Sequence, residues 1–141
     1  MNDEVKISKV EKISEVEKVL NIWQENGANF TLKQSEKHFC QSMAEGYKLY
    51  KAEIGNEIIG AVGLRLCHDI CEDNSYYIMN NFVVSSKARG KGVGSKLISF
   101  VKDKLKKDQY VMLLCNNEKA YKLYEKQGFK MSGARLFIFE K

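Results

Sequence analysis

Proline is missing altogether from these 141 residues, and no internal repeat, low-complexity tract or linker interrupts them, so nothing marks a domain boundary. No apolar run is long enough to span a bilayer, and no leader with a charged start, an apolar middle and a small-residue cleavage site opens the chain. A cytoplasmic protein that uses no membrane is expected. Cysteine is sparse, at Cys40, Cys67, Cys71 and Cys115, and in that compartment all four are expected to be reduced. Cys67-His68-Asp69-Ile70-Cys71 invites a metal, but the second paired cluster that structural zinc sites use is lacking, so no metal is expected. Cys115 closes an apolar run and reads as a small buried hydrophobe.

Two familiar phosphate-loop signatures are missing as well. A Walker A loop starting at Gly90 would need a second glycine where Ser95 stands. The dinucleotide fingerprint needs G-x-G-x-x-G early in a βαβ unit, whereas this chain has G-x-G-x-G past its midpoint.

What is present suits one globular domain spanning residues 1–141, with 44% hydrophobic and 29% charged residues and enough length to bury a core without disulfides. Twenty-three Lys and Arg against 18 Asp and Glu give a net charge of +5, which would suit nucleic acid, an acidic surface or a polyanionic cofactor. Many lysines lie between Lys96 and Lys107 opposite an apolar stripe, and a single aromatic residue, Phe100, falls among them, which makes no interleaved stacking series. That run reads as a solvated helix face, and nucleic acid is not an expected partner.

Hydrophobic periodicity orders the elements. Val5 to Val10 alternates as a short edge strand. Ser14 and Glu17 form a capping box for a helix from about Glu15 to Glu25, with Val16, Val19, Leu20 and Trp23 on its apolar face and Gly27 beyond its end. A second, weaker helix runs from Lys33 to Glu45, with Phe39 and Met43 apolar and His38 read as structural. Tyr47 to Ile54 and Glu57 to Leu66 form a hairpin about Gly55-Asn56. After a polar connection from Asp69 to Ser75, Tyr76 to Val84 is apolar at both parities, as in a central strand covered on both faces. The pair Asn80-Asn81 interrupts it, and amides in such a strand either anchor a bulge or face a ligand.

That strand runs into Arg89-Gly90-Lys91-Gly92-Val93-Gly94-Ser95, and a helix follows with Val93, Leu97, Val101 and Leu105 at four-residue spacing. The first turn of a helix has unpaired N–H groups and the positive end of the macrodipole, so a phosphate there satisfies both. Glycines let it approach, and Arg89, Lys91 and Lys96 add positive charge. Further on come a buried strand from Tyr110 to Cys115, a helix from Glu118 to Gln127 stopped by Gly128, and two final strands at Phe129–Met131 and Leu136–Phe139.

Two motifs stand in this second half: Arg/Gln-x-x-Gly-x-Gly/Ala at Arg89, Gly92 and Gly94, and Asn-x-x-Ala-x-x-x-Tyr-x-x-x-Gly-Phe from Asn117 to Phe129. In that order they resemble the GCN5-related N-acetyltransferases, over roughly Tyr76 to Lys141. The resemblance implies an α/β fold of the α+β type, with a mixed, mostly antiparallel sheet of about six to seven strands flanked by about four helices. It implies acetyl-CoA as cosubstrate, held by Phe82 and Val84 on the strand, by Arg89, Gly90, Lys91, Gly92, Val93, Gly94 and Ser95 at the pyrophosphate, and by Asn117 and Ala120 along the pantetheine arm. Tyr124 would be the catalytic acid beside the thioester sulfur. Many relatives have Glu on the strand before the loop where Asn80 stands here, so no base is assigned. The implied activity is direct acetyl transfer to a primary amine of a small molecule, such as an amino sugar, a polyamine or an amino-acid-like metabolite. A protein or peptide amine, and a non-catalytic CoA-binding regulatory module, are the alternatives, and a homodimer is compatible with either.

Overall fold

A computed structural model describes residues 4–141 and shows a mixed five-stranded sheet with four α-helices. In chain order the elements are β1 (Val5–Lys9), α1 (Ile13–Glu25), α2 (Leu32–Ala44), β2 (Tyr47–Ile54), β3 (Glu57–Asp69), β4 (Asn74–Val84), a 3-10 turn at Ser86–Ala88, α3 (Val93–Asp103), β5 (Val111–Met112) and α4 (Glu118–Lys126). The sheet runs β1-β2-β3-β4-β5, antiparallel from β1 to β4, with β5 added parallel to β4.

The central strand is β3, whose Ile58 to Leu64 are all buried because both sheet faces are covered. On one face Val16, Val19 and Leu20 of α1 pack with Leu49, Ala61 and Val83. On the other, Val93, Leu97 and Val101 of α3 pack with Tyr50, Ala52, Val62 and Leu64. Alternation along the strands therefore sorts neighbours such as Ala61 and Val62 into two separate cores.

Register breaks in β4 at the amides. Gly63 pairs with Asn80 and Ala61 with Val83, so Val62 alone faces both Asn81 and Phe82, a bulge with Asn81 at φ 51°. On its other side β4 pairs with β5 only at Tyr77 with Val111 and Ile78 with Met112, so the two strands part ahead of the bulge.

The sequence-based element limits need four corrections. The strand expected from Tyr110 to Cys115 is two residues long and poorly buried, with Leu114 77% exposed, because its pairing with β4 ends at Ile78 with Met112. Among the described residues no strand forms at Phe129–Met131 or Leu136–Phe139, where Phe137 and Phe139 are more than 90% exposed; a strand needs a paired edge, and the short β5 supplies none at that register. The sheet thus has five strands rather than six to seven. Finally, α1 starts after Lys12 rather than at Ser14, since the carboxylate of Glu15 accepts from the N–H groups of Glu11 and Lys12 at 3.2 Å.

Glu15 also pairs with Lys51 of β2, which reaches Glu53 at 3.0 Å. This contact ties the start of α1 to the sheet. The Lys51 ammonium holds the Glu15 carboxyl below its usual range, and Glu15 in turn holds the lysine above its own. A depressed carboxyl stabilises the fold above its unfolded pKa and stops doing so as pH falls through the folded value; a raised lysine does so below its unfolded pKa, until pH climbs past the folded value. Glu15→Gln is expected to lower stability by about 1 kcal/mol at pH 7. Urea denaturation of variant and parent should converge as pH is lowered toward the carboxylate range. A gap that stays constant would mean the carboxylate charge plays no part.

Candidate active site

After β4 the chain turns at Ser85, whose N–H donates to the Ile59 carbonyl at 2.8 Å, and passes through the 3-10 turn to Gly92. Gly92 is the N-cap of α3 in the left-handed region (φ 75°, ψ 15°), offers no side-chain cap, and leaves the first-turn amides of the helix aimed outward. A Cβ built at Gly90 or Gly92 would meet nothing within 4 Å, so the cradle is open to a ligand. Lys91 and Lys96 are exposed beside it, while buried Val93 anchors the helix to the sheet. The Arg89 guanidinium donates to Asn26 Oδ1 in the turn after α1, which fixes it beside the loop.

Gly94 matters through the side chain it lacks. Phe82 and Leu123 both come within 3.4 Å of where its Cβ would stand, and Val84 within 3.8 Å, so β4, α3 and α4 converge there. Tyr124 joins that cluster, its ring centroid 6.2 Å from Phe82 and 5.7 Å from Phe129. The end of α4 is a Schellman motif: Phe129 N–H donates to the Tyr124 carbonyl and Gly128 N–H to that of Glu125, both at 3.0 Å, with Gly128 at φ 89°. That local geometry, legible in the spacing of Tyr124, Gly128 and Phe129, sets the tyrosine in place. Burial, with a smaller contribution from Cys115, pushes the Tyr124 phenol above its usual pKa, so it keeps its proton at neutral pH.

The remaining residues expected on the cofactor are divided. Phe82, Val84, Gly94 and Tyr124 share one cluster, and Ala120 is half-buried one turn before Tyr124. Asn117 instead caps α4, its Oδ1 accepting from the Lys119 N–H at 3.0 Å. Cys115 is half-buried, its thiol donating to the Asn117 carbonyl at 3.4 Å.

Across β4, between α1, α2 and the sheet, lies a cavity of about 420 Å³, within the size range of small-molecule sites. Trp23, Phe30, Phe39 and Leu49 supply apolar wall; His38, Arg65, Asn80 and Asn81 supply polar groups. Asn81 Nδ2 donates to the Tyr47 hydroxyl at 2.7 Å, and the Arg65 guanidinium lies 5.9 Å from the centroid of the same ring. Burial raises the Tyr47 phenol, partly offset by Asn81 and Arg65. Tyr47 lies directly on Gly63, where an added Cβ would stand 1.9 Å from the hydroxyl oxygen.

Sequence reasoning singled out Asn80 and Asn81 but missed Tyr47, Gly63 and Arg65. Gly63 and Arg65 are two apart on an otherwise apolar strand, so they share a face. An arginine at an inward parity was the available signal.

The profile of the acetyltransferase (GNAT) family matches residues 16–129. Among curated proteins no sequence match is found. Solved structures share the fold: glucosamine-6-phosphate N-acetyltransferase from Arabidopsis thaliana superposes with TM-score 0.77 at 20% identity, covering 98% of this chain and 99% of that one. Ribosomal-protein-alanine N-acetyltransferase from Brucella melitensis biovar Abortus 2308 gives 0.80 at 16% identity over 98% and 99%. A predicted acetyltransferase with acetyl-CoA from Clostridium acetobutylicum gives 0.71 at 15% identity over 96% of each chain.

Gly63→Ala is expected to displace the Tyr47 ring and break its bond with Asn81, at a cost of about 1–3 kcal/mol. Thermal denaturation together with a crystal structure of the variant checks this. An unmoved Tyr47 with undiminished stability would contradict the close approach seen here.

Proposed function

The chain belongs to the acetyltransferase (GNAT) family, and we propose that it moves an acetyl group from acetyl-CoA to the primary amine of a small molecule in the cytoplasm. The bulge in β4 is the observation that carries this. It lets the consecutive residues Asn80 and Asn81 both line the cavity on one face of the sheet, while Phe82 joins the Tyr124 cluster on the other, so that one strand adjoins both a cofactor cradle and an acceptor chamber. Regular alternation would send Asn80 and Asn81 to opposite faces.

The residues present fit a CoA-type cosubstrate. The uncapped amides at Gly92 to Ser95 and the neighbouring Arg89, Lys91 and Lys96 would take its diphosphate. The backbone of Phe82 to Val84, freed where β4 departs from β5, would line its arm, with Ala120 leaving room. When bound, the cosubstrate supplies an activated acetyl thioester. The protein's part is to deliver an amine with its lone pair free, because an ammonium cannot attack. No carboxylate is among the described residues lining the cavity, so Asn80, in the place where relatives often have Glu, orients rather than deprotonates. Tyr124 holds its proton in the cluster opposite and is the group able to give one up there. A cavity of this size walled by Trp23, Phe30 and Phe39, with no carboxylate among its described lining residues, favours a small acceptor over a basic peptide.

A screen of acetyl-CoA consumption over amino sugars, amino acids, polyamines and peptides tests the assignment; turnover on peptides alone would overturn the small-molecule part. Tyr124→Phe is expected to lower kcat roughly 10²-fold while acetyl-CoA affinity, read by calorimetry, stays unchanged. Equal rates in both proteins across pH would remove Tyr124 from the chemistry. Gly92→Glu, which adds charge and bulk at a left-handed N-cap, is expected to weaken acetyl-CoA binding by at least about 1.4 kcal/mol, a factor of ten. Unaltered affinity in a folded variant would discard the diphosphate site.

A further inference from the structure

Building on that acetyl-transfer assignment, we propose that the cavity beneath α1 and α2 selects primary amines that also carry an anionic group, a carboxylate or a phosphate, and that Arg65 holds this group.

Charge in the chamber is one-sided. Among the described lining residues Arg65 has the one permanent charge, and none of them is an aspartate or glutamate. The nearest carboxylate, on Glu45 at the rim, is 57% exposed on its side chain and 3.9 Å from Arg65 Nη1. A pair so solvated leaves the guanidinium largely uncompensated. Nη1 donates to the Glu45 carbonyl at 3.3 Å, which with the Tyr47 ring beneath steadies the plane, while a guanidinium has five N–H donors and takes carboxylate or phosphate in a fork. A second cation on the acceptor, as in a polyamine, would meet Arg65 with no partner of its own.

Spacing adds to charge. Gly63 pairs with Asn80 and Arg65 with Ile78, two residues along the same face of β3, hence about 7 Å apart. Tyr47 lies over Gly63 and holds Asn81, so the bulge marks the amine end of the chamber and Arg65 the other end. An acceptor whose amine and anion are separated by a sugar-sized or short alkyl body spans that gap, and Trp23, Phe30 and Phe39 cover the body.

The test compares acceptors that differ only in the anion: glucosamine 6-phosphate with glucosamine, and 5-aminopentanoate with pentylamine, with spermidine as the cationic control. Calorimetric binding and initial rates are measured on the parent, Arg65→Gln and Arg65→Lys, with acetyl-CoA affinity as the check that each variant is folded. In at least one pair the anionic member should bind and turn over at least tenfold better in the parent. Arg65→Gln should bring that ratio near one, and Arg65→Lys should restore part of it. The pair that responds tells phosphate from carboxylate. No anionic preference in either pair, spermidine handled as well as the anionic acceptors, or an anionic preference that survives Arg65→Gln, overturns the proposal and leaves acetyl transfer standing. Arg65-dependent binding of an anionic amine without any acetylation supports the subsite and overturns the transfer assignment instead.

Discussion

Two residues of β4 stand opposite one of β3, and the bulge they form, stabilised by the hydrogen bond from Asn81 to buried Tyr47, is the constraint on which the site depends. A left-handed asparagine costs of order 1 kcal/mol, and the hydrogen bond from its amide to the Tyr47 hydroxyl offsets part of that. Tyr47 can make this bond because Gly63 has no side chain in the way. Three residues from three strands thus hold a single irregularity in register.

The consequences run in two directions from that point. β4 pairs with β5 for two residues ahead of the bulge, which leaves its backbone from Phe82 to Val84 unpaired on that side, next to the N-terminus of α3. On the opposite face the same asparagine enters a chamber whose floor is β2 to β4 and whose roof is α1 and α2. The two sides differ in their electrostatics. The cradle offers helix amides, a glycine cap and lysines to a polyanion, whereas the chamber concentrates its charge in Arg65 among aromatic walls. Tyr124, kept protonated by burial, belongs to the cradle side.

Local rules made much of this legible beforehand. The hairpin at Gly55-Asn56, the start of α3 at Val93 and the stop of α4 at Gly128 each rest on residues within a few positions of one another, and each stands where periodicity and turn chemistry put it. The asparagine pair was identified as a bulge or ligand contact because an amide in a central strand has few other options. Element limits went astray where a distant partner decided them. Glu15 begins α1 early because Lys51, 36 residues on, and two nearby N–H groups share its carboxylate. The apolar residues from Leu136 to Phe139 have strand composition, yet composition cannot supply an edge to pair with.

The amino-acid sequence by itself determined the order of the helices and of β1 to β5, the glycine cap ahead of α3, the placement of Tyr124 two residues before its helix ends, and the family to which two spaced motifs point. These depend on contacts within a turn or two of chain. Only the tertiary structure decided that Tyr47, Gly63, Arg65 and Asn81 meet, that no carboxylate is among the described residues lining the chamber beside them, and that the last strands do not form among the described residues. Cross-strand register and helix docking join residues far apart in sequence, and no local preference encodes which of several allowed partners closes first.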